Sequence, residues 1–354
     1  MKIGIIGAGW YGCHLASVLR QRGHEVAIFE ASDGVLNRAS TLNQARLHAG
    51  YHYPRCFKTR SETAQCFTRF LATYPQFTRS IAENVYAISD ANSMMDFWTY
   101  TQTMRALNLK FVEANPLKFH LTNVEGCMTT EERSLDFPVA QEYFSRTLAS
   151  SLRLNHAVKE IKELGNRVQI DGEIFDLAIN CTWCALNTYS GPYTLFFEPT
   201  TLFYYEATEP FFGALTTMDG ACFSIYPFAD NVYTLSHVGL TPRGQFNSFA
   251  EADHINNALT ATYLHDIRER MVAEVLREFP SFRDRFQFVG VQRSVKTKFV
   301  NARASRRTIV ARYGNVVTVL SGKIDTIFVA EDAILEMLHP EEMDARRAQQ
   351  QAVA

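Results

Sequence analysis

The sequence predicts an α/β protein of two lobes, a Rossmann-like dinucleotide-binding lobe and a second α+β lobe built on a mixed or antiparallel sheet. Three observations carry this expectation. Residues Met1 to Glu30 read as strand, glycine turn, helix and second strand. The run Phe175-Asp176-Leu177-Ala178-Ile179-Asn180-Cys181 is nearly continuous in apolar residues, as a strand buried on both faces is. Leu195 to Ala207 and Ala221 to Val238 are rich in aromatic and β-branched residues, the composition of antiparallel strands.

In the opening unit Ile3, Ile5 and Ile6 form the strand, Gly7-Ala8-Gly9-Trp10-Tyr11-Gly12 the turn, and Leu15, Ala16, Val18 and Leu19 continue at helical spacing. Gly7 allows the tight turn, Gly9 lets the backbone approach a pyrophosphate, and Gly12 lets the helix pack closely on the strand. The helix N-terminus offers its free N–H groups to the anion. Gly23 reads as the helix stop. Glu30 ends the next apolar run, Val26-Ala27-Ile28-Phe29, at the spacing of a carboxylate that holds a ribose hydroxyl.

Ala31 to Arg55 is polar and has no period, and a connection of 25 residues of that kind in a compact domain serves a site. Thr59 to Tyr74 reads as a helix with Phe67, Phe70, Leu71 and Tyr74 on one face, stopped by Pro75. Val85 to Val124 is strand-like, with one helical piece near Met94 to Leu107. Val139 to Leu154 has helical spacing, and strands follow at Ala157 to Ile161, Arg167 to Ile170 and Phe175 to Cys181. Beyond the aromatic strands, Ala250 to Phe279 is helical and Pro280 closes it. Arg307 to Arg312 and Val316 to Leu320 are strands, a helix runs from about Asp325 to Leu338, and Pro340 to Ala354 is a polar tail.

Composition narrows the classes. An apolar content of 47% in 354 residues supports a sizeable core. A net charge of -2 and a pI near 6.6 give no global attraction for nucleic acid or an anionic membrane. No apolar run is long enough to span a bilayer, and the glycine turn interrupts the opening run as a signal peptide would not, so a cytoplasmic protein is expected. Seven irregularly spaced cysteines suit reduced thiols. Cys181-Thr182-Trp183-Cys184 has redox or metal spacing, but no second pair or histidine cluster accompanies it; a structural role, and no metal, is expected.

Four motifs resemble the D-amino-acid oxidase and glycine oxidase superfamily of FAD enzymes. They are the glycine turn with Glu30; the loop Ser40-Thr41-Leu42-Asn43 through His48-Ala49-Gly50-Tyr51, most similar to L-2-hydroxyglutarate oxidases; the strand Phe175 to Thr182, like the one that commonly ends in Ala-Thr-Gly; and the last strand with Ser321-Gly322-Lys323 and its helix, which in such proteins lies under the flavin ring. The sequence departs from the family at Trp183, where glycine is usual, and at Lys323, where a small residue or histidine is common. Ser321-Gly322 replaces the Gly-Asp of aromatic hydroxylases, and no second GxGxxG exists to bind NAD(P)H. The resemblance implies FAD, held by Gly7, Gly9, Trp10, Tyr11, Gly12, Glu30, Ala31, Ser40, Asn43, His48, Val158, Cys181, Thr182, Trp183, Gly322, Lys323 and Ile324. It also implies a discontinuous cofactor lobe (residues 1–84, 138–194 and 292–339) and a substrate lobe (85–137 and 195–291).

An enzyme of this kind takes hydride from a carbon bearing nitrogen or oxygen, so it orients its substrate first and removes a proton second. Arg293 sits where the family places its carboxylate-binding arginine; the alternative is a surface arginine on a strand. His48 is a catalytic base or substrate contact, a structural histidine, or a covalent flavin link, and Tyr51, His52, Tyr53 and Arg55 share its loop. If that loop is extended, Tyr51 and Tyr53 share one side and His52 takes the other. Lys323 either offsets negative charge on reduced flavin or points into solvent. Tyr204, Tyr205, Tyr226 and His237 line a pocket or fill the core. Phe286 to Ile324 contains no Asp or Glu but carries Arg293, Lys296, Lys298, Arg303, Arg306, Arg307, Arg312 and Lys323, a basic rim for a polyanionic substrate or an acidic carrier protein, or a solvated face. The expected activity is oxidation of a small anionic amine, amino acid or 2-hydroxy acid. Tailoring of a larger or carrier-bound molecule, and a non-catalytic flavin protein, are the alternatives.

Overall fold

The computed structural model describes residues 1–300, 307–320 and 322–341; Arg303, Arg306, Ser321 and the tail beyond Glu341 lie outside the described residues. The chain divides into two units. The first comprises Met1–Ser40, Pro138–Thr194 and Phe299–Ala354, the second Thr41–Phe137 and Leu195–Lys298. Residues 41–84 and 292–298, expected in the cofactor lobe, therefore belong to the second unit. Their strands explain this: Glu83–Ser89 and Phe286–Phe299 are members of that unit's large sheet, and Arg46–Leu47 pairs with Arg133–Leu135.

The first unit is built on a six-stranded sheet. Its strand order is Ile309–Tyr313, Val316–Leu320, Leu177–Asn180, Lys2–Ile6, Glu25–Phe29, Leu152–Arg153, parallel throughout except for the Ile309–Tyr313 edge. Leu177–Asn180 pairs on both sides and is buried at every residue, as its apolar run requires. Helices Trp10–Gln21 and Ile327–Leu338 pack on each other, joined by the buried His14 Nε2 and Glu331 Oε2 at 3.0 Å. A three-stranded meander, Ile161–Leu164, Arg167–Ile170 and Glu173–Phe175, shares a core with Ile6, Phe29 and Ala178.

Two readings of this unit need correction. The helix after Phe137 ends at Thr147, and Leu152–Arg153 becomes an edge strand beside Phe29. The strand expected at Ala157 to Ile161 begins only at Ile161, because the N–H groups of Lys159 and Glu160 donate to the Asp171 carboxylate instead of to a ladder.

The second unit carries a mixed eight-stranded sheet in the order Phe286–Phe299, Leu195–Ala207, Val232–His237, Phe223–Ala229, Gly213–Met218, Glu83–Ser89, Val124–Thr130, Phe111–Ala114. Gly213–Met218 and Glu83–Ser89 run parallel. Alternation divides its faces. Val85, Ala87, Leu215, Phe223, Ile225, Leu235, Phe203 and Tyr205 pack with Ile267, Met271, Val272 and Val275 of the Ala261–Glu278 helix. The helical stretch read as Ala250 to Phe279 is two helices, since the Thr260 hydroxyl accepts from the Tyr263 N–H and starts a new one.

Candidate active site

In the first unit the glycine turn closes as its spacing demands. Gly7 has φ +96°, and a Cβ there would stand 3.1 Å from the Cys181 carbonyl oxygen. A Cβ on Gly12 would lie 1.9 Å from the Gly7 carbonyl oxygen, so only glycine lets the helix approach this closely. A Cβ on Gly9 would meet the Ser40 Oγ at 2.8 Å, and that hydroxyl accepts from the Trp10 N–H while the Ser40 carbonyl accepts from the indole. Glu30 braces the turn: Oε2 accepts from the Ala8 N–H at 2.7 Å and Oε1 from the Ser32 N–H at 2.8 Å. A carboxylate so fixed retains lone pairs for a further donor. Ala31 beside it is exposed, and Val158 packs against the cluster holding Phe29.

The strand end and the last turn converge on the same cradle. Thr182 donates to the Asn180 side chain at 2.7 Å and accepts from the Leu186 N–H. Trp183 and the following Cys184 have φ +53° and +61°, so Trp183 adopts the left-handed conformation that suits the glycine it replaces. Burial pushes the Cys181 and Cys184 thiols up, which keeps them protonated and inert. Gly322, Lys323 and Ile324 are half-buried in the turn before Ile327. The Tyr11 hydroxyl bonds the Lys323 carbonyl at 2.6 Å and the Thr308 and Thr326 hydroxyls at 2.8 and 2.9 Å. Tyr11, expected against the cofactor, therefore ties the first helix to the last turn. Tyr11→Phe should lower stability by about 1–3 kcal/mol while FAD stoichiometry is kept, read as thermal melts with flavin absorbance.

The second unit holds a polar stripe on the sheet face opposite the helices. Gln292, Tyr204, Thr234, Tyr226, Ser224, Thr216 and Tyr86 follow one another across six strands in register. The loop after Ser40 lies on it. Gln292 Nε2 donates to the Asn43 carbonyl and the Tyr204 hydroxyl; Gln44 Nε2 reaches the Ser224 carbonyl and Thr234; Arg46 Nη2 donates to Thr216 Oγ1 at 2.5 Å and Ser224 Oγ at 2.9 Å. Gln292 Oε1 and Arg46 Nε are buried without partners among the described residues.

His48 is held beside this stripe by Glu132. Glu132 is 1% exposed, accepts from the Ala49 N–H at 2.9 Å and the Tyr86 hydroxyl at 2.7 Å, and lies 3.7 Å from His48 Nδ1, an ion-pair separation. Burial alone would raise the Glu132 pKa; His48, Arg46 and the Tyr86 hydroxyl outweigh it and hold the group below the ordinary carboxylate value. The loop turns after Gly50, at φ +119°, rather than running extended. His48, His52 and Tyr53 consequently meet as three rings with centroids 5.4 to 5.5 Å apart.

Tyr51 goes the other way, a correction to its expected catalytic role: its ring packs on Tyr86, its hydroxyl donates to the Lys110 carbonyl, and burial raises its pKa. Arg293 alternates with Gln292 and Ser294, which face Asn43 and Thr200, so its side chain leaves the sheet on the opposite face. The same alternation leaves Tyr204 and Tyr226 on the stripe and puts Tyr205 and His237 on the helix side, where His237 borders a cavity of about 370 Å³ with Arg270 and Arg277. In the basic segment Lys298 pairs with Glu198 at 2.5 Å. Sequence reasoning missed Glu132, which nothing distinguishes from Glu131, and gave Arg46 no role. Among the described residues no three His, Cys, Asp or Glu side chains group as metal ligands, and no helix is long and apolar enough to cross a membrane.

The family model of FAD-dependent oxidoreductases matches residues 2–322. The chain belongs to that family. A protein of Fusarium mangiferae named FAD-dependent monooxygenase FPY4 is 39% identical over 346 residues, 96% of this chain and 92% of that protein. FAD-dependent monooxygenase kojA of Aspergillus flavus is 26% identical over 96% of this chain and 86% of its own length. Among solved structures, NikD, an unusual amino acid oxidase of nikkomycin biosynthesis, has a TM-score of 0.71 at 12% identity over 92% of this chain and 91% of its own. Glycine oxidase of Geobacillus kaustophilus has a TM-score of 0.69 at 13% identity, covering 93% and 90%. The chain is thus an FAD-dependent oxidoreductase, and the resemblance read from its four motifs holds. The cradle fits the cofactor: three glycines stand where side chains would collide, and a fixed carboxylate ends the second strand.

Proposed function

We propose that this FAD enzyme oxidises a CH–NH or CH–OH bond of a small anionic substrate, an amine, amino acid or 2-hydroxy acid. When bound, FAD supplies the hydride acceptor. Gly7, Gly9 and Gly12 let the backbone close on its pyrophosphate, Glu30 takes a ribose hydroxyl, and Lys323 offsets negative charge at the far end. His48 removes the amine or hydroxyl proton, and Glu132 stabilises the resulting imidazolium.

The observation that carries this reading is the fixed His48–Glu132 pair, a base with a buried counter-charge. Anaerobic titration of the FAD-loaded protein with a panel of amino acids, amines and 2-hydroxy acids should bleach the flavin bands with at least one of them. Failure across the panel, while dithionite bleaches normally, would sink the reading. A second reading, oxygen insertion into the substrate, is favoured by the monooxygenase names of the Fusarium and Aspergillus proteins. Bleaching by NAD(P)H, with label from ¹⁸O₂ appearing in product, would select it.

A further inference from the structure

On the helix-covered side of the eight-stranded sheet, His237 borders the cavity of about 370 Å³, a volume within the range of small-molecule sites, about 300–1,000 Å³. Its tautomer is fixed. Nδ1 accepts from the Gly239 and Leu240 N–H groups at 3.2 and 3.1 Å, so the ring proton sits on Nε2. Burial lowers the His237 pKa against the opposing pull of Glu274, which leaves the ring a neutral donor at pH 7. His237 is 5% exposed, and its Nε2 is buried with no hydrogen-bond partner among the described residues. The Ala221 carbonyl, also on the cavity wall, favours the protonated ring without meeting hydrogen-bond geometry. A buried donor in that state is costly until an acceptor reaches it.

The facing helix supplies charge. Arg270, Ala273, Glu274 and Arg277 recur at three- and four-residue spacing along Ala261–Glu278 and line the same cavity. Arg277 is partly neutralised: Nη1 lies 3.5 Å from Glu274 Oε2, in a pair whose side chains are 48% and 38% exposed and whose attraction is correspondingly weak. Arg270 makes no ion pair or hydrogen bond among the described residues. The wall therefore presents two guanidiniums against one carboxylate, beside a neutral imidazole donor and the Asn92 amide, with Ala221, Leu240 and Ala273 as apolar surface. We infer that this cavity binds a small organic oxyanion, a phosphate ester or a carboxylic acid. Its anionic group pairs with Arg270, a further acceptor atom takes the His237 proton, and its organic part lies on the apolar wall; guanidinium pairs with carboxylate or phosphate are the strong, bidentate kind. The polar stripe occupies the other face of the sheet, so this is a second site, and it does not rest on the oxidation reading above.

The test uses the FAD-loaded protein with phenyl phosphate and phenylacetate as probes, at ionic strength held constant with sodium chloride, followed by calorimetry and by flavin absorbance. Wild type should bind at least one probe saturably with the flavin bands unmoved. Arg270→Gln should weaken that binding at least ~10-fold, the loss of a charge-assisted pair. Glu274→Gln should tighten it roughly 3-fold, because it removes the opposing charge and releases Arg277, a gain that a damaged fold does not give. His237→Gln should weaken it, and Arg167→Gln, in the first unit, should match wild type. Arg270 is exposed and Glu274 partly so, and these two variants decide the matter if His237→Gln does not fold. No saturable binding of either probe, or equal affinity in Arg270→Gln and wild type, would overturn the proposal. Binding that shifts the flavin bands and survives in Arg270→Gln would place the anion at the cofactor and overturn it too. Where binding depends on Arg270, a preference for phenyl phosphate supports a phosphate ester as the ligand, and a preference for phenylacetate supports a carboxylic acid.

Discussion

Gly12→Ala is expected to empty the protein of FAD. The added Cβ would stand 1.9 Å from the Gly7 carbonyl oxygen, far inside contact distance, and the opposing atom belongs to backbone that has nowhere to go. Gly7 itself is fixed by its N–H bond to the Phe29 carbonyl at 2.7 Å and by a positive φ, with the Cys181 carbonyl against its other side. Overpacking ordinarily costs about 1–3 kcal/mol, and a rigid backbone opponent puts this case at the upper end, or roughly 100-fold in FAD affinity. Gly9→Ala should lose less, because its Cβ meets only the Ser40 hydroxyl, which can rotate away at the expense of the Trp10 N–H bond. Flavin absorbance of the purified variants and fluorescence titration of the apoproteins give the order. Wild-type FAD affinity in Gly12→Ala would mean that this turn does not hold the cofactor.

The cradle was legible in the sequence for the same reason that the variant is harmful: contacts within one βαβ unit depend on residues at fixed short spacing, and glycines announce where backbone approaches backbone. Leu177–Asn180 was legible because burial on both faces leaves an uninterrupted apolar run. What failed depends on pairing between distant segments. Lobe membership of residues 41–84 follows from which sheet Glu83–Ser89 joins, and its own composition does not say. Arg293 and Gln292 are neighbours in sequence, and a strand sends them to opposite faces, so position along the chain alone does not say which of them faces the stripe. Tyr51 and Tyr53 would share one side only in an extended loop, and Gly50 turns the chain there. Glu132 carried no local signal; its meaning comes from Ala49 and Tyr86, 83 and 46 residues away.

His48→Asn should slow flavin reduction by at least ~100-fold with whichever substrate of the panel bleaches the wild type, the ordinary range for loss of a general base. Glu132→Gln is the more informative partner, because its remaining oxygen keeps the acceptor for the Ala49 N–H while the charge, and the second oxygen that accepts from the Tyr86 hydroxyl, are lost. With the carboxylate gone the imidazolium loses its counter-ion, so the rate should fall roughly tenfold, about 1.4 kcal/mol, and the ascending limb of the reduction rate against pH should move to lower pH. A purely architectural Glu132 would lower the melting temperature without moving that limb. Stability offers an independent sign. The folded pKa of Glu132 is depressed, so its contribution is present above the unfolded value, about 4.3, and is lost as pH falls through the folded one. Glu132→Gln should therefore flatten the acid side of the stability profile in that window and leave the neutral side parallel to wild type. A reductive step with an unshifted pH limb in Glu132→Gln would take the base from His48 and leave the pair as architecture beneath the stripe.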